Sequence, residues 1–409
     1  MKLFKEEKVR NAIFLGVLCS VSYLAVYIAR NILGSVTPQL VENGVYTEKF
    51  IGSVSSTYFY FYAFGQLING AIGDKIKARN MISFGLILAG ATNLLFPMLK
   101  SELSVRLVYG MTGFFLSMIY GPMTKVVAEN TEPIHAVRCS LGYTFASFFG
   151  SPLAGVLASV MVWQSVFKFS SAILLAMGVL CFVMFLIFEK QGIVKYGQYD
   201  KKKSERKEGA IRELFRRHIV VFTIVSIITG VIRTTVIFWL PTYLAQYLEF
   251  PTEQATSIYS LCTLLICAST FVAIFVYERL KSNMELTLLI FFVLSTASFL
   301  GAYFVDARLV NIILMVLAIF TNNCATTMLW SVYCNSLKDT GIVSGATGFL
   351  DFVSYIAAGT SSTIFANSVS TIGWGNLILV WAGLMLVGVI TTLTFGPKRI
   401  FRKAEINRI

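Results

Sequence analysis

The run from Asn11 to Leu40 is apolar throughout except for one charge, Arg30. About twenty apolar residues suffice to cross the hydrocarbon of a bilayer as a helix. Hydrocarbon offers the peptide groups no water, so such a run must close its hydrogen bonds within itself. An arginine at that depth costs at least ~2.5–3.5 kcal/mol on insertion scales and therefore has to face protein or a water-filled cavity. Tyr23, Tyr27 and Arg30 stand at i, i+4 and i+7, which puts them on one helix face. About two hundred residues later the pattern returns: Ile219 to Leu240 is apolar apart from Arg233. Two membrane-depth arginines at matching places predict a single anion site built from two halves.

The rest of the chain fits that frame. It is 56% hydrophobic and 13% charged, with a mean hydropathy of +0.72. A chain so apolar is a multi-span helical membrane protein rather than a soluble one. Seven cysteines, Cys19, Cys139, Cys181, Cys262, Cys267, Cys324 and Cys334, lie in or beside apolar segments with no C-x-x-C spacing. They read as reduced packing residues, with no disulfide framework or metal site. Lysines before the first apolar run imitate a signal peptide, but the run is long and lacks a small-residue cleavage site, so it reads as the first span.

Hydropathy predicts twelve spans, near 11–40, 50–73, 80–99, 103–128, 136–160, 166–188, 218–247, 254–278, 285–304, 309–335, 342–366 and 374–396. Between the sixth and seventh, the basic segment Lys201–Lys207 breaks the apolar pattern and reads as a solvated linker. The expected division is an N-terminal six-helix bundle over 1–189, a linker over 190–217 and a C-terminal six-helix bundle over 218–409, ending in a basic tail.

Charge placement sets the orientation. One side collects Lys2, Lys5, Lys8, Arg10, Lys75, Lys77, Arg79, Lys125, Arg138, the linker, Arg279, Lys281, Lys338 and the tail. The other keeps Lys49, Lys100, Arg106, Lys168 and Arg308. The positive-inside rule then puts both termini and the linker in the cytoplasm, with the chain in the cell (inner) membrane. The net charge of +13 is thereby topological, and no nucleic-acid partner is expected.

The halves echo each other. Ala136–Phe145 leads to Gly150-Ser151-Pro152 and Trp163, and Gly341–Phe349 leads to Ala357-Ala358-Gly359 and Trp374, at close to the Arg30-to-Arg233 offset. Such weak repetition implies six-helix repeats about an axis along the membrane normal. The interiors of the third, sixth, ninth and twelfth spans carry no charge and are suited to face lipid, leaving the others to line a cavity.

Gly70-Ala71-Ile72-Gly73-Asp74-Lys75-Ile76-Lys77-Ala78-Arg79 resembles the G-x-x-x-D-[RK]-x-x-x-R signature of the major facilitator superfamily, with a degenerate copy at Tyr277–Lys281. In that superfamily the acid and bases form a cytoplasmic latch. The resemblance therefore assigns gating to Asp74, Lys75 and Arg79, with Arg138 near the same face. Tyr23-x-x-x-Tyr27-x-x-Arg30-Asn31, and Arg233 followed by Phe238-Trp239-Leu240-Pro241-Thr242-Tyr243-Leu244, resemble the organophosphate:phosphate antiporter family of glycerol-3-phosphate and hexose-phosphate transporters. Tyr62, Gly121-Pro122 with Lys125, and Tyr355 are also similar.

The resemblance implies an all-α membrane protein of twelve transmembrane helices in two pseudo-symmetric bundles. It further implies that Arg30 and Arg233 hold a phosphoryl group, assisted by Tyr23, Tyr27, Tyr62 and Tyr355. The chemistry suits that role independently. Guanidinium forks match phosphate oxygens and stay protonated, while phenols donate without adding charge.

The chain also departs from the family. Gln66 stands where the family has a lysine eight residues before the latch acid. The fifth span holds Thr144 and Phe145 where a histidine is common, and the two histidines, His135 and His218, lie near cytoplasmic ends. Asp351, one turn before Tyr355, adds a negative charge at a depth where acids are functional. Gln66 and Asp351 thus join the expected substrate-binding set.

There is no P-loop, G-x-G-x-x-G, H-E-x-x-H or G-x-S-x-G motif, so neither ATP coupling, cofactor nor enzymatic chemistry is expected. The expected function is transport of a sugar phosphate or glycerol phosphate in exchange for inorganic phosphate, by a monomer in membrane lipid. A proton-coupled transporter of a sugar acid, for which Asp351 is the titrating candidate, and a non-transporting sugar-phosphate sensor of the same fold are the alternatives.

Overall fold

Apolar runs of this length can satisfy their peptide groups internally only as helices or a closed barrel, and among the described residues every regular element is helical. In the computed structural model the described residues are 2–73, 76–196, 210–337 and 343–395. The first stretch of chain gives α1 (Lys2–Glu42), α2 (Glu48–Gly73), α3 (Ala78–Leu95), α4 (Glu102–Leu116), α5 (Tyr120–Asn130), α6 (Pro133–Val160) and α7 (Trp163–Lys190). Then follow α8 (Ala210–Arg216), α9 (Ile219–Val231), α10 (Ile237–Gln246), α11 (Thr252–Ile266), α12 (Ser269–Arg279), α13 (Met284–Phe304), α14 (Arg308–Thr327), α15 (Cys334–Ser336) and α16 (Val343–Phe395). Among the described residues, ten helices are long and apolar enough to cross a membrane, as a multi-pass integral membrane protein requires.

Several crossings are interrupted where the sequence supplies a reason. α4 and α5 make one crossing, broken just before Gly121-Pro122, where the proline has no N–H for the preceding turn. α16 changes direction at Gly373, whose φ of 75° and ψ of 167° lie in a region open to a residue without Cβ. π-helical segments join α9 to α10 (Ile232–Val236) and α14 to α15 (Met328–Tyr333).

By their internal contacts the helices fall into two units, Met1–Lys203 with Phe250–Leu264, and Ser204–Glu249 with Leu265–Ile409. Most of α11 therefore belongs with the N-terminal unit, where Ser260 Oγ donates to the Pro152 carbonyl of α6 at 2.8 Å. The described ends of the 190–217 segment, expected as a linker, make local contacts. Val194 is buried, the Lys195 N–H donates to Asn130 Oδ1 at 2.7 Å, and α8 occupies the far end. Lys201–Lys207 lies outside the described residues.

Within each unit one long helix pair sets the register, and the two registers nearly agree. In the N-terminal unit α1 packs along α6: Cys139 meets Gly16, and Tyr27 meets Gly150, where a Cβ would come within 2.4 Å of the tyrosine Cβ. In the C-terminal unit α9 packs along α16: Ser226 Oγ donates to the Leu350 carbonyl at 2.8 Å, and Ser354 fills the space of the missing Cβ of Gly230. The partners stand 123 residues apart at Tyr27/Gly150 and 124 apart at Ser226/Leu350. Close approach at small residues is how membrane helices associate when there is no water to expel.

Candidate functional site

Arg30 lies on α1, half-buried, inside a shell of rings. Its guanidinium carbon is 5.2 Å from the Tyr27 centroid, 5.4 Å from Tyr62 and 5.7 Å from Phe59. Contacts of this kind contribute ~0.5–1 kcal/mol each when exposed and ~2 or more when desolvated. The rings bring no formal charge and so do not neutralise the cation. A second tier holds them: Tyr23 meets Tyr27 edge-on at 5.0 Å and lies 5.5 Å from Tyr120. Tyr58 stacks on Tyr62 at 6.1 Å and leans on Tyr109 at 5.1 Å. Gln66 follows Tyr62 by one turn of α2, half-buried.

The structure thus brings Arg30 against Tyr27 and Tyr62, with Tyr23 against Tyr27. It adds Phe59, Tyr58, Tyr109 and Tyr120, which sequence reasoning missed. Phe59 and Tyr62 share a face of α2 at i, i+3, the signal by which Phe59 could have been found.

Arg233 is held differently. It is the second residue of the π segment Ile232–Val236. Among the described residues it has no hydrogen bond, ion pair or ring contact, and it is half-buried. π turns are rare and concentrate at functional sites, and an unpaired cation in a membrane crossing is costly unless something else balances it. The tail of its motif serves packing instead: Tyr243 hydrogen-bonds to Asn311 Oδ1, and Asn311 donates to the Ala302 carbonyl at 2.7 Å.

The α9–α16 register fixes the heights of the remaining C-terminal candidates. Since Ser354 faces Gly230, the buried Tyr355 lies within a turn of the level of Arg233. Since Leu350 faces Ser226, Asp351 lies beside position 227, six residues nearer the basic end, or ~9 Å at 1.5 Å per residue. Asp351 is close enough to the Cys334 thiol to act on it electrostatically. One turn before Arg233, the Thr229 carbonyl accepts from Asn322 Nδ2 at 3.3 Å, while the Oδ1 atoms of Asn322 and Asn323 are buried without a partner among the described residues. These amides, hidden in the polar run Thr321–Thr327, were also missed.

Of the latch residues, Asp74 and Lys75 lie outside the described residues. Arg79, at the start of α3, pairs with Glu189 Oε2 at 2.9 Å near the end of α7, both largely buried, and its guanidinium lies 5.1 Å from the Phe182 ring. The Arg79 N–H donates to Tyr196 Oη at 3.4 Å. Burial, and then the Glu189 carboxylate, push the Tyr196 phenol up, which keeps it protonated. Glu189 is the first charge after the sixth apolar run and reads from sequence as the start of the linker. Arg138 is exposed on α6, without a partner among the described residues.

A sequence profile of the Major Facilitator Superfamily matches residues 19–359. The chain belongs to that superfamily. The voltage-gated purine nucleotide uniporter of Homo sapiens is 23% identical over 232 residues, 54% of this chain and 53% of the relative. The glycerol-3-phosphate transporter of Bacillus subtilis (strain 168) is 22% identical over 274 residues, 61% of this chain and 60% of the relative. The chain therefore spans between half and three fifths of the length of these curated relatives. A crystal structure of a D-xylose-proton symporter superposes with a TM-score of 0.71 at 15% identity, covering 94% of this chain and 97% of that one. This establishes the shared fold. The likeness to organophosphate transporters first read from the arginine motifs extends to the Bacillus protein.

Proposed function

We propose that the protein is a secondary active transporter of a phosphorylated organic anion, a sugar phosphate or glycerol phosphate, exchanged for inorganic phosphate by alternating access. In this reading twelve crossings form two six-helix bundles joined by the 190–217 linker, with termini and linker cytoplasmic. Arg30 and Arg233 both contribute to anion binding.

The observation that carries the reading is Arg233, a permanently charged guanidinium on a π turn with no partner among the described residues. A phosphoryl group supplies the missing charge and the planar acceptors that a guanidinium fork fits. An empty site of this kind resists reorientation, because the unpaired cation would have to move without its counter-charge, and exchange follows from that. Asp351, ~9 Å along the helix axis from the level of Arg233, suits the hydroxyl-bearing part of such a substrate better than neutralisation of the arginine.

The test is uptake of labelled glycerol-3-phosphate or hexose 6-phosphate into proteoliposomes. Uptake that requires internal phosphate and ignores an imposed proton gradient supports the proposal. Sugar-acid uptake driven by the proton gradient supports the symporter instead. Tight binding with no uptake under either condition identifies a sensor.

A further inference from the structure

Beyond the shell of Arg30, toward the start of α1, a second group of rings gathers from three helices. Tyr23 of α1 lies 5.5 Å from Tyr120, the first residue of α5, and 6.2 Å from Tyr143 of α6. Tyr120 and Tyr143 lie 6.2 Å from each other, which closes the triangle. All three belong to the N-terminal unit. Tyr23 and Tyr143 are 7% and 3% exposed, whereas Tyr120 is 39% exposed. Of the three, Tyr120 is the ring with surface to offer a ligand.

Its orientation is fixed by the other two. Tyr143 stands edge-on to Tyr120 at 85° and to Tyr23 at 83°, while Tyr23 and Tyr120 are tilted by only 32°. Edge-on and offset contacts are the arrangements aromatic pairs prefer, so a ring held by both keeps little freedom. Beside it, Gly121 has nothing within 4 Å of the place a Cβ would take, and the chain leaves room there. Tyr23 shares its face of α1 with Tyr27 and Arg30. A face that carries an arginine at membrane depth does not look into lipid, and a ring packed on Tyr23 lies on the same side.

We infer that the exposed face of Tyr120 stacks a nucleobase, so that the phosphorylated anion is a nucleoside monophosphate. This rests on the reading of Arg30 as a phosphoryl ligand and narrows the organic part. Steps of 5.2, 5.0 and 5.5 Å lead from the guanidinium through Tyr27 and Tyr23 to Tyr120. Glycerol phosphate, three carbons long, ends alongside Tyr27. A ribose phosphate reaches the next ring, and its base extends to Tyr120. A hexose in that place would set its hydroxyls against ring faces, whereas every base has a π face to lay on a tyrosine. The stack uses the surface of the ring and leaves the phenol hydroxyls to their own partners.

The experiment is titration calorimetry of the full chain in detergent with inorganic phosphate, ribose 5-phosphate, adenosine and adenosine 5′-monophosphate. The monophosphate should bind about ten- to a hundredfold more tightly than ribose 5-phosphate, the range of one base–aromatic stack. Tyr120→Ala should bring it down to the affinity of ribose 5-phosphate, and Tyr120→Phe should keep the preference, because only the ring is needed. Equal affinity for the two phosphates in the unmutated protein overturns the inference without any variant. A preference that survives Tyr120→Ala, or one lost in Tyr120→Phe, overturns it as well. Binding of phosphate with no gain from the base sinks the stack and keeps the anion site. Binding of adenosine and its monophosphate alike, with none of phosphate, keeps the stack and sinks the phosphoryl reading on which the substrate class rests.

Discussion

Arg30 and Arg233 occupy matching places in the two halves of the chain but live in different surroundings. Arg30 is packed against three rings, with a second tier of tyrosines behind them. Arg233 sits bare on a π turn, among the described residues without a polar or aromatic partner. The same residue type therefore does two jobs. The first arginine is part of the packing of its unit as well as a charge. The second contributes little to its own unit and is available to an anion, so binding and stability should separate at Arg233 and stay coupled at Arg30.

The largest effect expected is on transport. Arg30→Lys and Arg233→Lys should each nearly abolish uptake in proteoliposomes, because lysine keeps the charge and loses the planar fork. Each should weaken phosphate affinity by ~1.5–3 kcal/mol, roughly ten- to a hundredfold by titration calorimetry. Thermal unfolding then divides the pair: Arg30→Lys should lower the midpoint, and Arg233→Lys should leave it unchanged. Equal destabilisation would remove the distinction between a packed and a bare cation.

A second effect lies outside the proposed anion site. Arg79→Ala should cost the N-terminal unit about 1.5–3 kcal/mol by leaving Glu189 largely buried and unpaired. Phosphate affinity should hardly move, and a large loss of affinity with unchanged stability would put Arg79 in the wrong role. A smaller effect sharpens the ring shell. Tyr62→Phe keeps the ring over Arg30 and removes the hydroxyl, so affinity should drop by ~0.5–1.5 kcal/mol with the melting temperature maintained. No change would mean the phenol serves packing alone. The smallest change is expected at Asp351→Asn. With the carboxylate ~9 Å along the axis from Arg233, phosphate binding should persist or tighten slightly, and a tenfold loss would show that the acid contacts the anion.

Much of this was legible in the residues, for physical reasons. A charge inside an apolar run is expensive, so Arg30 and Arg233 announce themselves, and helical spacing places Tyr23 and Tyr27 beside the first. Crossing positions follow from hydrophobic length. What stayed hidden depends on packing between helices far apart in the chain. Tyr109 and Tyr120 join the Arg30 shell from α4 and α5, and nothing in an apolar helix distinguishes a core tyrosine from a lining one. Glu189 and Tyr196 looked like the start of a tether because sequence does not reveal that a chain folds back against Arg79. The break within α16 was foreseen as a boundary between two spans, while the π segments were not, since no propensity scale separates them from α-helix.

The π turn at Arg233 bears on how easily such a site is gained or lost. A π turn is one residue wider than the α turn it replaces, and each residue of an α-helix advances the side chains by about 100°. Removing a single residue from Ile232–Val236 would let the crossing close into continuous α-helix. Every side chain on one side of the deletion would then swing by roughly a quarter of a revolution relative to the other. The direction in which this crossing presents its guanidinium is thus decided by one codon. The ancestry of the site should be sought in insertions and deletions as much as in substitutions.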